Sequence, residues 1–311
     1  AGKLVVFLNN LSGTGGTAAP GLLALKIDSC LIEKLSGRLA KNLVITGTNG
    51  KTTIARITAS ILAAAGIKVI HNRAGSNLLR GLASTFVNKV SFLGRMAENY
   101  WGLWETDEAA FPAACKAIQP EVVLINNLFR DQLDRYGEID TGAQGWKKAL
   151  ADLPKSSVVI LNADDAAVAS LGKNLKARVV YFGLTDKKLA VAKPDHASDA
   201  TVCPYCYNAL NYTACFAGHM GIYACPKCGA IQPKKKITPE KELIKLLADL
   251  PGTYNLYNLT AASALASVLK ISKTAVIKGV NNFKPAFGRV EKIKIGNKTL
   301  NIFLVKNPTG F

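Results

Sequence analysis

A loop rich in glycine and threonine could bind phosphate. It is Gly47-Thr-Asn-Gly-Lys-Thr52, and it follows a short apolar run and precedes a helical pattern. Small residues let backbone amides face a phosphate group, and the start of a helix adds a favourable dipole. Lys51 would reach the terminal phosphates, and the Thr52 hydroxyl would hold a magnesium ion. Because Ile45 stands where the usual motif has its first glycine, a chance surface turn is the alternative.

Two Cys-x-x-Cys pairs indicate a metal site. They are Cys203-Pro-Tyr-Cys206 and Cys225-Pro-Lys-Cys228, and 18 residues separate them. Four thiolates on two tight turns match a tetrahedral structural zinc site. The expected zinc ligands are Cys203, Cys206, Cys225 and Cys228. A redox pair is the alternative, but two copies at this spacing disfavour it. With all ligand positions filled by protein, we expect no metal catalysis here.

The other cysteines show no nucleophile motif. Seven cysteines are too few for a disulfide scaffold in 311 residues, and the number is odd. Cys215 and His219 lie between the two pairs and could each replace a zinc ligand, although ordinary ribbon sequence is the simpler interpretation. Cys30 and Cys115 lack a Gly-x-Cys-x-Gly turn, and we expect both to be buried as small apolar residues.

Short apolar runs alternate with helical patterns along the chain. Runs at 42–45, 68–70, 122–125, 158–161 and 179–182 are typical of buried strands. This alternation favours an α/β fold with a mainly parallel sheet and helices on both faces. Ligands bind at the carboxyl ends of such strands, where the polar motifs of this chain lie. We therefore expect one site at that edge.

The composition changes along the chain. Residues 1–40 are predicted to be a short leading segment, and residues 41–311 a single sheet domain. Residues 200–235 carry the paired cysteines, and we interpret them as a zinc ribbon inserted in that domain.

The overall composition is that of a globular protein, with 49% hydrophobic and 19% charged residues. This excludes a disordered tail, a collagen and a highly charged coiled coil. The formal net charge of +18 favours an anionic partner, such as a nucleotide, a nucleic acid, a pyrophosphate lipid or an anionic membrane surface. No apolar run reaches the ~18 residues of a membrane span, and no secretory signal is evident, so we expect a cytoplasmic location.

Four segments, in this order, resemble the Mur ligases, the ATP-dependent amide-bond formers of peptidoglycan synthesis. They are the loop at residues 46–53, then Leu103-Trp-Glu-Thr-Asp-Glu108, then Asn126–Tyr136, and finally Gly252-Thr-Tyr-Asn-Leu-Tyr-Asn258. The resemblance covers nearly the whole chain. It implies a Mur ligase-type central ATP-binding domain that uses ATP and Mg²⁺.

The resemblance also assigns roles to residues. Glu105 matches the family glutamate that binds magnesium, and Glu108 competes for that role. Lys51 and Glu105 are then the expected catalytic residues, with Thr52 and Glu105 on magnesium. The residues expected to bind ATP are Gly47, Thr48, Asn49, Gly50, Lys51, Thr52, Thr53, Asn255, Asn258 and Arg289. The two late asparagines would hold the adenine, and a helix cap is the alternative role for one of them.

The third segment departs from the family pattern. Gln132 replaces a histidine that helps the amino-acid-adding Mur ligases hold magnesium, so metal handling is expected to differ. The candidates for the substrate or metal side are Asn77, Glu108, Asp131 and Gln132. The family's carbamylated lysine cannot be assigned, although Lys147 and Lys148 lie near the expected distance.

The ribbon and Gln132 together resemble the branch of the family that amidates lipid II. In that branch ATP phosphorylates the α-carboxylate of D-glutamate, and ammonia then displaces phosphate to give D-isoglutamine. The resemblance implies a heterodimer with a glutaminase subunit, GatD, which supplies the ammonia, and lipid II as partner at the inner face of the membrane. It also implies a C-terminal domain beyond these residues, so we expect a fragment that binds nucleotide but turns over poorly alone.

Other functions stay open. An amino-acid-adding Mur ligase or a folylpolyglutamate-type ligase would share the ATP loop, but the ribbon and Gln132 disfavour it. A nucleic-acid-binding zinc-ribbon NTPase would suit a basic chain with the run Lys234–Lys236. The ribbon lacks clustered aromatics with interleaved arginines, so no nucleic acid is expected. A scaffold with a dead ATP loop is disfavoured by the intact Lys51 and Thr52.

Overall fold

The computed structural model describes residues 18–72, 77–91, 95–96, 98–129, 138–191, 201–234, 236–246, 252–284, 290–296 and 298–303. Three predicted site residues, Asp131, Gln132 and Arg289, lie outside these ranges. Their roles therefore stay predictions.

A six-stranded parallel sheet forms the centre of the fold, in the order β2-β3-β1-β4-β5-β6. Its strands are β1 (Lys41–Thr46), β2 (Val69–His71), β3 (Trp101–Glu105), β4 (Val122–Ile125), β5 (Val158–Asn162) and β6 (Arg178–Phe182). Five of them coincide with the predicted apolar runs to within one or two residues. The apolar pattern misses β3 because a glycine and a glutamate interrupt it.

Both faces of this sheet are covered, which explains why its strands are almost continuously apolar. Leu43 and Ile45 of β1 point into one core, and Val44 points into the other. The helices that cover the sheet and continue the chain are α1 (Ala19–Ile27), α2 (Leu31–Ser36), α3 (Lys51–Ala64), α4 (Leu79–Lys89), α5 (Phe111–Ile118), α6 (Glu138–Ala151), α7 (Ala166–Ser170), α8 (Lys241–Leu246), α9 (Thr253–Val268) and α10 (Lys273–Asn281). Helices α3, α9 and α10 share the first core, whereas α2, α4, α5 and α6 share the second. The predicted α/β fold with helices on both faces is confirmed.

The leading helices pack onto the sheet domain. Gly21 of α1 donates its amide to Ser84 Oγ of α4 at 2.8 Å. A Cβ at Gly21 would lie 1.9 Å from the Arg80 carbonyl oxygen, so this close crossing requires glycine. Ile32 and Leu35 of α2 join the second core.

The two isolated cysteines differ in burial. Cys115 is buried in α5, as predicted, and burial raises the pKa of its thiol. The prediction that Cys30 is buried is wrong. Cys30 lies in the turn before α2, where its amide donates to Asp28 Oδ1 at 3.1 Å, and this turn faces solvent rather than the core.

A ribbon hairpin follows the last strand of the sheet. It consists of β7 (Asn211–Ala217) and β8 (Met220–Ala224), which pair antiparallel. The chain then returns to the sheet edge, where Ile237 pairs with Phe182. A second hairpin near the chain end pairs β9 (Val290–Ile295) with β10 (Lys298–Phe303). No helix in the described ranges is both long and apolar enough to cross a membrane.

Candidate nucleotide and metal sites

The predicted phosphate loop lies at the carboxyl end of β1, between β3 and β4 in the middle of the sheet. Gly47 and Gly50 have φ of 135° and 86°, values that favour glycine. Gly50 directly precedes the first turn of α3. A Cβ on Gly50 would lie 2.1 Å from Asn258 Oδ1, so a larger residue would require the Asn258 side chain to move away from the loop.

Two buried asparagines after β4 hold the loop from the neighbouring strand. Asn127 Oδ1 accepts a hydrogen bond from the Asn49 amide at 2.8 Å, and its own carbonyl accepts one from the Thr48 amide at 3.0 Å. Asn126 Nδ2 donates to the Asn49 carbonyl at 2.9 Å. These residues were not predicted as site residues, although a polar pair directly after a buried strand is the signal that would have found them.

The side chain of Thr48 is held by Phe129, which belongs to the same segment after β4. The Phe129 amide donates to Thr48 Oγ1 at 2.9 Å, and this hydroxyl donates to the Phe129 carbonyl at 3.1 Å. The side chain of Thr48 is therefore committed to the loop structure.

Lys51 folds back across the loop. Its ammonium donates to the carbonyls of Gly47 at 2.5 Å and Thr48 at 3.0 Å, and pairs with Glu108 Oε2 at 2.9 Å. The positive charge is thus placed where the terminal phosphates of a nucleotide would lie. Glu108 acts in this structure as the partner of Lys51.

Thr52 and Glu105 lie side by side. The Thr52 hydroxyl donates to Glu105 Oε1 at 2.7 Å, and Glu105 is only 4% exposed at the end of β3. Asn72 fixes the glutamate backbone, since its side chain accepts from the Glu105 amide and donates to the Glu105 carbonyl. A carboxylate beside a threonine hydroxyl is a donor set that suits Mg²⁺. This geometry favours Glu105 over Glu108 as the magnesium ligand.

Asn255 and Asn258 lie in the first turns of α9. Asn258 Nδ2 donates to Asn255 Oδ1 at 3.3 Å, so the two amides face the same side. The helix begins after Gly252 and has no side-chain cap, so neither asparagine caps it. The predicted alternative role, a helix cap, is therefore wrong, and the contact between Asn258 and Gly50 places this pair at the loop.

Four other residues considered for the nucleotide site lie in the described ranges, namely Thr53, Asn77, Lys147 and Lys148. Thr53 is half-buried in the first turn of α3. The Asn77 carbonyl accepts from the Asp107 amide at 2.9 Å, which brings Asn77 to the segment after β3. Lys147 and Lys148 are exposed on α6.

The loop region contains buried polar atoms that a ligand could satisfy. Among the described residues, Thr106 Oγ1 and Asn126 Oδ1 are buried without a hydrogen-bond partner. Thr106 follows Glu105 directly, and Asn126 contacts the loop. Buried polar groups normally have partners, so these two atoms fit a site that binds a polar ligand or its water.

The four paired cysteines form one cluster. Their sulfur atoms all lie within 4.8 Å of one another, with 3.5 Å between Cys203 and Cys228 and 3.4 Å between Cys206 and Cys225. Tetrahedral zinc with Zn–S bonds of about 2.3 Å requires similar spacing. The Cys228 amide donates to Cys225 Sγ and lowers the pKa of this thiol, whereas hydrogen bonds with the neighbouring thiols raise the pKa of Cys228. The cluster therefore fits a zinc ion.

Cys215 and His219 are not part of the cysteine cluster. Cys215 is buried in β7 and pairs with Val191. His219 is fully buried and lies 3.2 Å from Asp165 Oδ2. Neither residue replaces a zinc ligand.

A buried aspartate joins the sheet, the ribbon and α9. Asp164, just after β5, accepts hydrogen bonds from Gln232 Nε2 at 2.5 Å, Lys236 Nζ at 2.7 Å, the Tyr257 hydroxyl at 2.7 Å and the Leu184 amide at 2.7 Å. Burial raises the pKa of Asp164, and the Lys236 ammonium opposes that shift. Lys236 belongs to the basic run Lys234–Lys236 that the nucleic-acid alternative invoked, but its charge is buried in this pair. That burial weakens the nucleic-acid interpretation.

Comparison with known proteins agrees with this geometry. Residues 45–266 match the Mur ligase middle domain. The chain is 32% identical over its whole length to 70% of "Lipid II isoglutaminyl synthase (glutamine-hydrolyzing) subunit MurT" of Streptococcus pneumoniae. The chain belongs to the Mur ligase family, in its MurT branch. A second MurT subunit, from Staphylococcus aureus strain COL, is 29% identical over 99% of the chain and 71% of the relative.

A solved structure has a similar fold. A pseudomurein peptide ligase type C from Methanothermus fervidus superposes with a TM-score of 0.65 and 26% identity over 87% of the chain. The chain spans about half of that protein, since 54% of it is covered. The resemblance predicted from the four segments is thus confirmed.

Proposed function

We propose that the chain is the ATP-binding part of an amidoligase that converts the D-glutamate of lipid II to D-isoglutamine during peptidoglycan synthesis. The observation that carries this proposal is the cluster of Lys51, Thr52 and Glu105 around a glycine-rich loop at the centre of the sheet. The names of the MurT relatives supply the substrate and the reaction.

The chemistry requires activation of the acceptor. Ammonia does not displace an oxygen of a free carboxylate, because that oxygen is a poor leaving group. One oxygen of the α-carboxylate attacks the γ-phosphorus of ATP, the bond to the β–γ bridging oxygen breaks, and ADP leaves. The nitrogen of ammonia then attacks the carbonyl carbon of this acyl phosphate. The C–O bond to phosphate breaks, and nitrogen loses a proton to give the amide.

The loop residues stabilise the charge that moves in the first step. Loop amides and the start of α3 bind the phosphates, and the Lys51 ammonium exchanges Glu108 for the terminal phosphate oxygens. Thr52 and Glu105 would hold Mg²⁺, which neutralises charge on the transferred phosphoryl group. Asn255 and Asn258 bind the adenine at the start of α9.

The ammonia comes from a separate glutaminase subunit, GatD, in a heterodimer. The printed name of the relatives, a glutamine-hydrolysing synthase with a subunit MurT, supports a second subunit. The two cysteines outside the metal cluster and the ribbon do not suit glutamine hydrolysis, since burial raises the pKa of Cys115 and neither Cys30 nor Cys115 lies in a Gly-x-Cys-x-Gly turn.

Lipid II is reached at the inner face of the membrane, where the chain acts as a peripheral protein. The net charge of +18 supports binding to a pyrophosphate lipid or an anionic surface. The ribbon binds structural Zn²⁺ and takes no part in the chemistry, since four sulfur atoms leave no open coordination position.

The test is amidation by the full-length protein with its partner subunit. Lipid II, ATP and ¹⁵N-ammonium are incubated together, and the product is analysed by mass spectrometry. We expect ATP-dependent incorporation of one nitrogen, which is lost in Lys51→Ala and retained in Lys68→Ala, an exposed lysine outside the loop. Incorporation of an amino acid in place of ammonia, or ATP hydrolysis that is indifferent to lipid II, would refute the proposal.

A further inference from the structure

The turn of the ribbon hairpin reaches into the sheet domain. His219 lies in the turn between β7 and β8 and is fully buried. Its ring packs on Phe129, with 4.4 Å between ring centroids. Its Nε2 donates to Asp165 Oδ2 at 3.2 Å, since a carboxylate oxygen only accepts. The zinc ligands lie in other parts of the ribbon, so this contact belongs to the interface with the sheet domain.

Asp165 uses its two oxygens for different elements. Oδ1 accepts from the Val168 amide at 3.1 Å and caps α7. Oδ2 accepts from both His219 and the Leu128 amide, the latter at 2.9 Å. One carboxylate oxygen therefore ties the ribbon turn to the segment that follows β4.

That segment is the one that holds the phosphate loop. Phe129 makes both hydrogen bonds to the Thr48 side chain. His219 thus contacts Phe129 through its ring, and reaches the neighbouring Leu128 amide through Asp165. The path from ribbon to loop is buried from His219 through Asp165 to Leu128 and Phe129, and the final hydrogen bonds from Phe129 to Thr48 are partly buried. Satisfied hydrogen bonds in a protein interior hold their groups in fixed positions.

Asp164, the residue before Asp165, connects the hairpin to another part of the loop. The Asp164 carbonyl accepts from the Gly221 amide of the hairpin at 2.8 Å, and its side chain binds the Tyr257 hydroxyl. The next residue, Asn258, lies against Gly50. The hairpin is therefore held at two points, one toward Thr48 and the other toward Gly50.

We propose that His219 is a positioning residue of the nucleotide site, through which the ribbon sets the conformation of the phosphate loop. This rests on the proposed function only in that the loop binds MgATP. The ribbon then contributes to nucleotide affinity as well as to stability. A side chain that contacts no nucleotide changes affinity when its contact biases the conformation that binds.

Three variants separate this role from general support of the fold. His219→Gln keeps an N–H donor for Asp165, and His219→Leu removes the donor and keeps an apolar contact with Phe129. Met220→Leu changes the adjacent buried residue, the first of β8. In the full-length protein with its partner subunit, the Kd for MgATP is measured by calorimetry and the melting temperature by scanning calorimetry. We expect His219→Leu to bind MgATP about tenfold more weakly and His219→Gln to recover most of that loss.

Met220→Leu is expected to change the melting temperature but leave the Kd for MgATP within about twofold of wild type. The proposal is overturned if His219→Leu lowers only the melting temperature, if His219→Gln is no better than His219→Leu, or if Met220→Leu weakens binding as much. Wild-type protein that fails to bind MgATP would refute the proposed function and this inference together, whereas tight wild-type binding that the His219 variants share would refute the inference alone.

Should His219→Leu fail to fold, Asp165→Asn provides a second route with His219→Phe, which keeps a ring against Phe129 and lacks the N–H donor. Their effects on the Kd for MgATP should not add in the double variant, because both act on the same hydrogen bond. Additive effects would contradict the proposal.

Discussion

The phosphate loop and the cysteine ribbon are both built on turns, but different forces hold them. The loop is fixed by hydrogen bonds from Asn126, Asn127 and Phe129, and by the close approach of Asn258 to Gly50. The ribbon carries four cysteine sulfur atoms on two short turns, and these sulfur atoms form one cluster. The loop therefore depends on its neighbours in the sheet domain, whereas we expect the cysteine half of the ribbon to depend on a metal ion.

Because different forces hold the two regions, substitutions in the ribbon and in the loop should have different effects on stability and on activity. We expect a change in one of the four clustered cysteines to destabilise the ribbon, and a change in Lys51 to reduce activity while the fold stays intact. Among the described contacts, the two regions meet at the adjacent Asp164 and Asp165 and where the His219 ring packs on Phe129, so these contacts decide how far one region depends on the other.

The largest effect is expected from Cys225→Ser. Structural zinc contributes about 10 kcal/mol to folding in zinc-finger peptides, so losing a ligand should release the metal and unfold the ribbon locally. Bound zinc measured by mass spectrometry of the purified protein, and the melting temperature, should both fall. Cys30→Ser, at an exposed cysteine, is the matched control and should retain its zinc. Full zinc content in Cys225→Ser would contradict the metal assignment.

Lys51→Ala should act on catalysis without affecting the fold. Removing one group that stabilises the transferred phosphoryl charge costs about 10³-fold in rate. Steady-state phosphate release should fall by about that factor, while the melting temperature stays close to wild type. A modest loss of rate would mean that Lys51 serves only its pair with Glu108.

Lys236→Met tests the buried ion pair between Lys236, after the ribbon, and Asp164, after strand β5. It leaves the Asp164 carboxylate buried without its ammonium partner, which costs about 3 kcal/mol in the free energy of unfolding. Lys234→Met, at an exposed position of the same run, should change it by less than about 0.5 kcal/mol. Urea unfolding of both variants measures the difference, and equal values would show that the buried pair is dispensable.

The same pair carries a pH dependence with a definite sign. Burial raises the pKa of Asp164, and the loss of Lys236 removes what opposes the shift. As pH falls and Asp164 is protonated, it needs no counter-charge, so the stability gap between Lys236→Met and wild type should narrow. Urea unfolding as a function of pH tests this, and a gap that widens on acidification would contradict it.

The smallest expected effect is a change in the Mg²⁺ requirement, which distinguishes Glu105 from Glu108. Glu105→Gln should raise the Mg²⁺ concentration needed for half-maximal activity by about tenfold, because it weakens a direct ligand. Glu108→Gln should have a smaller effect, since Glu108 pairs with Lys51. Magnesium titration of the two variants gives the ratio. A larger effect of Glu108→Gln would reverse the assignment.

The sequence supports much of the fold and of the site because local patterns determine both. Apolar runs predict five of the six strands, and glycine spacing predicts the loop. The partners of Asp164 are 20 to 93 residues away along the chain, so no local pattern reveals them. The error at Cys30 has the same origin, since only the tertiary structure decides whether a small residue at a helix start faces the core.

The proposed amidation requires direct transfer of phosphate to the α-carboxylate of the D-glutamate in lipid II. This transfer is tested by labelling that carboxylate with ¹⁸O and analysing the phosphate released by the full-length protein with its partner subunit. We expect one labelled oxygen of each amidated molecule to appear in inorganic phosphate, because the C–O bond breaks when ammonia attacks. Amidated product accompanied by unlabelled phosphate would contradict it.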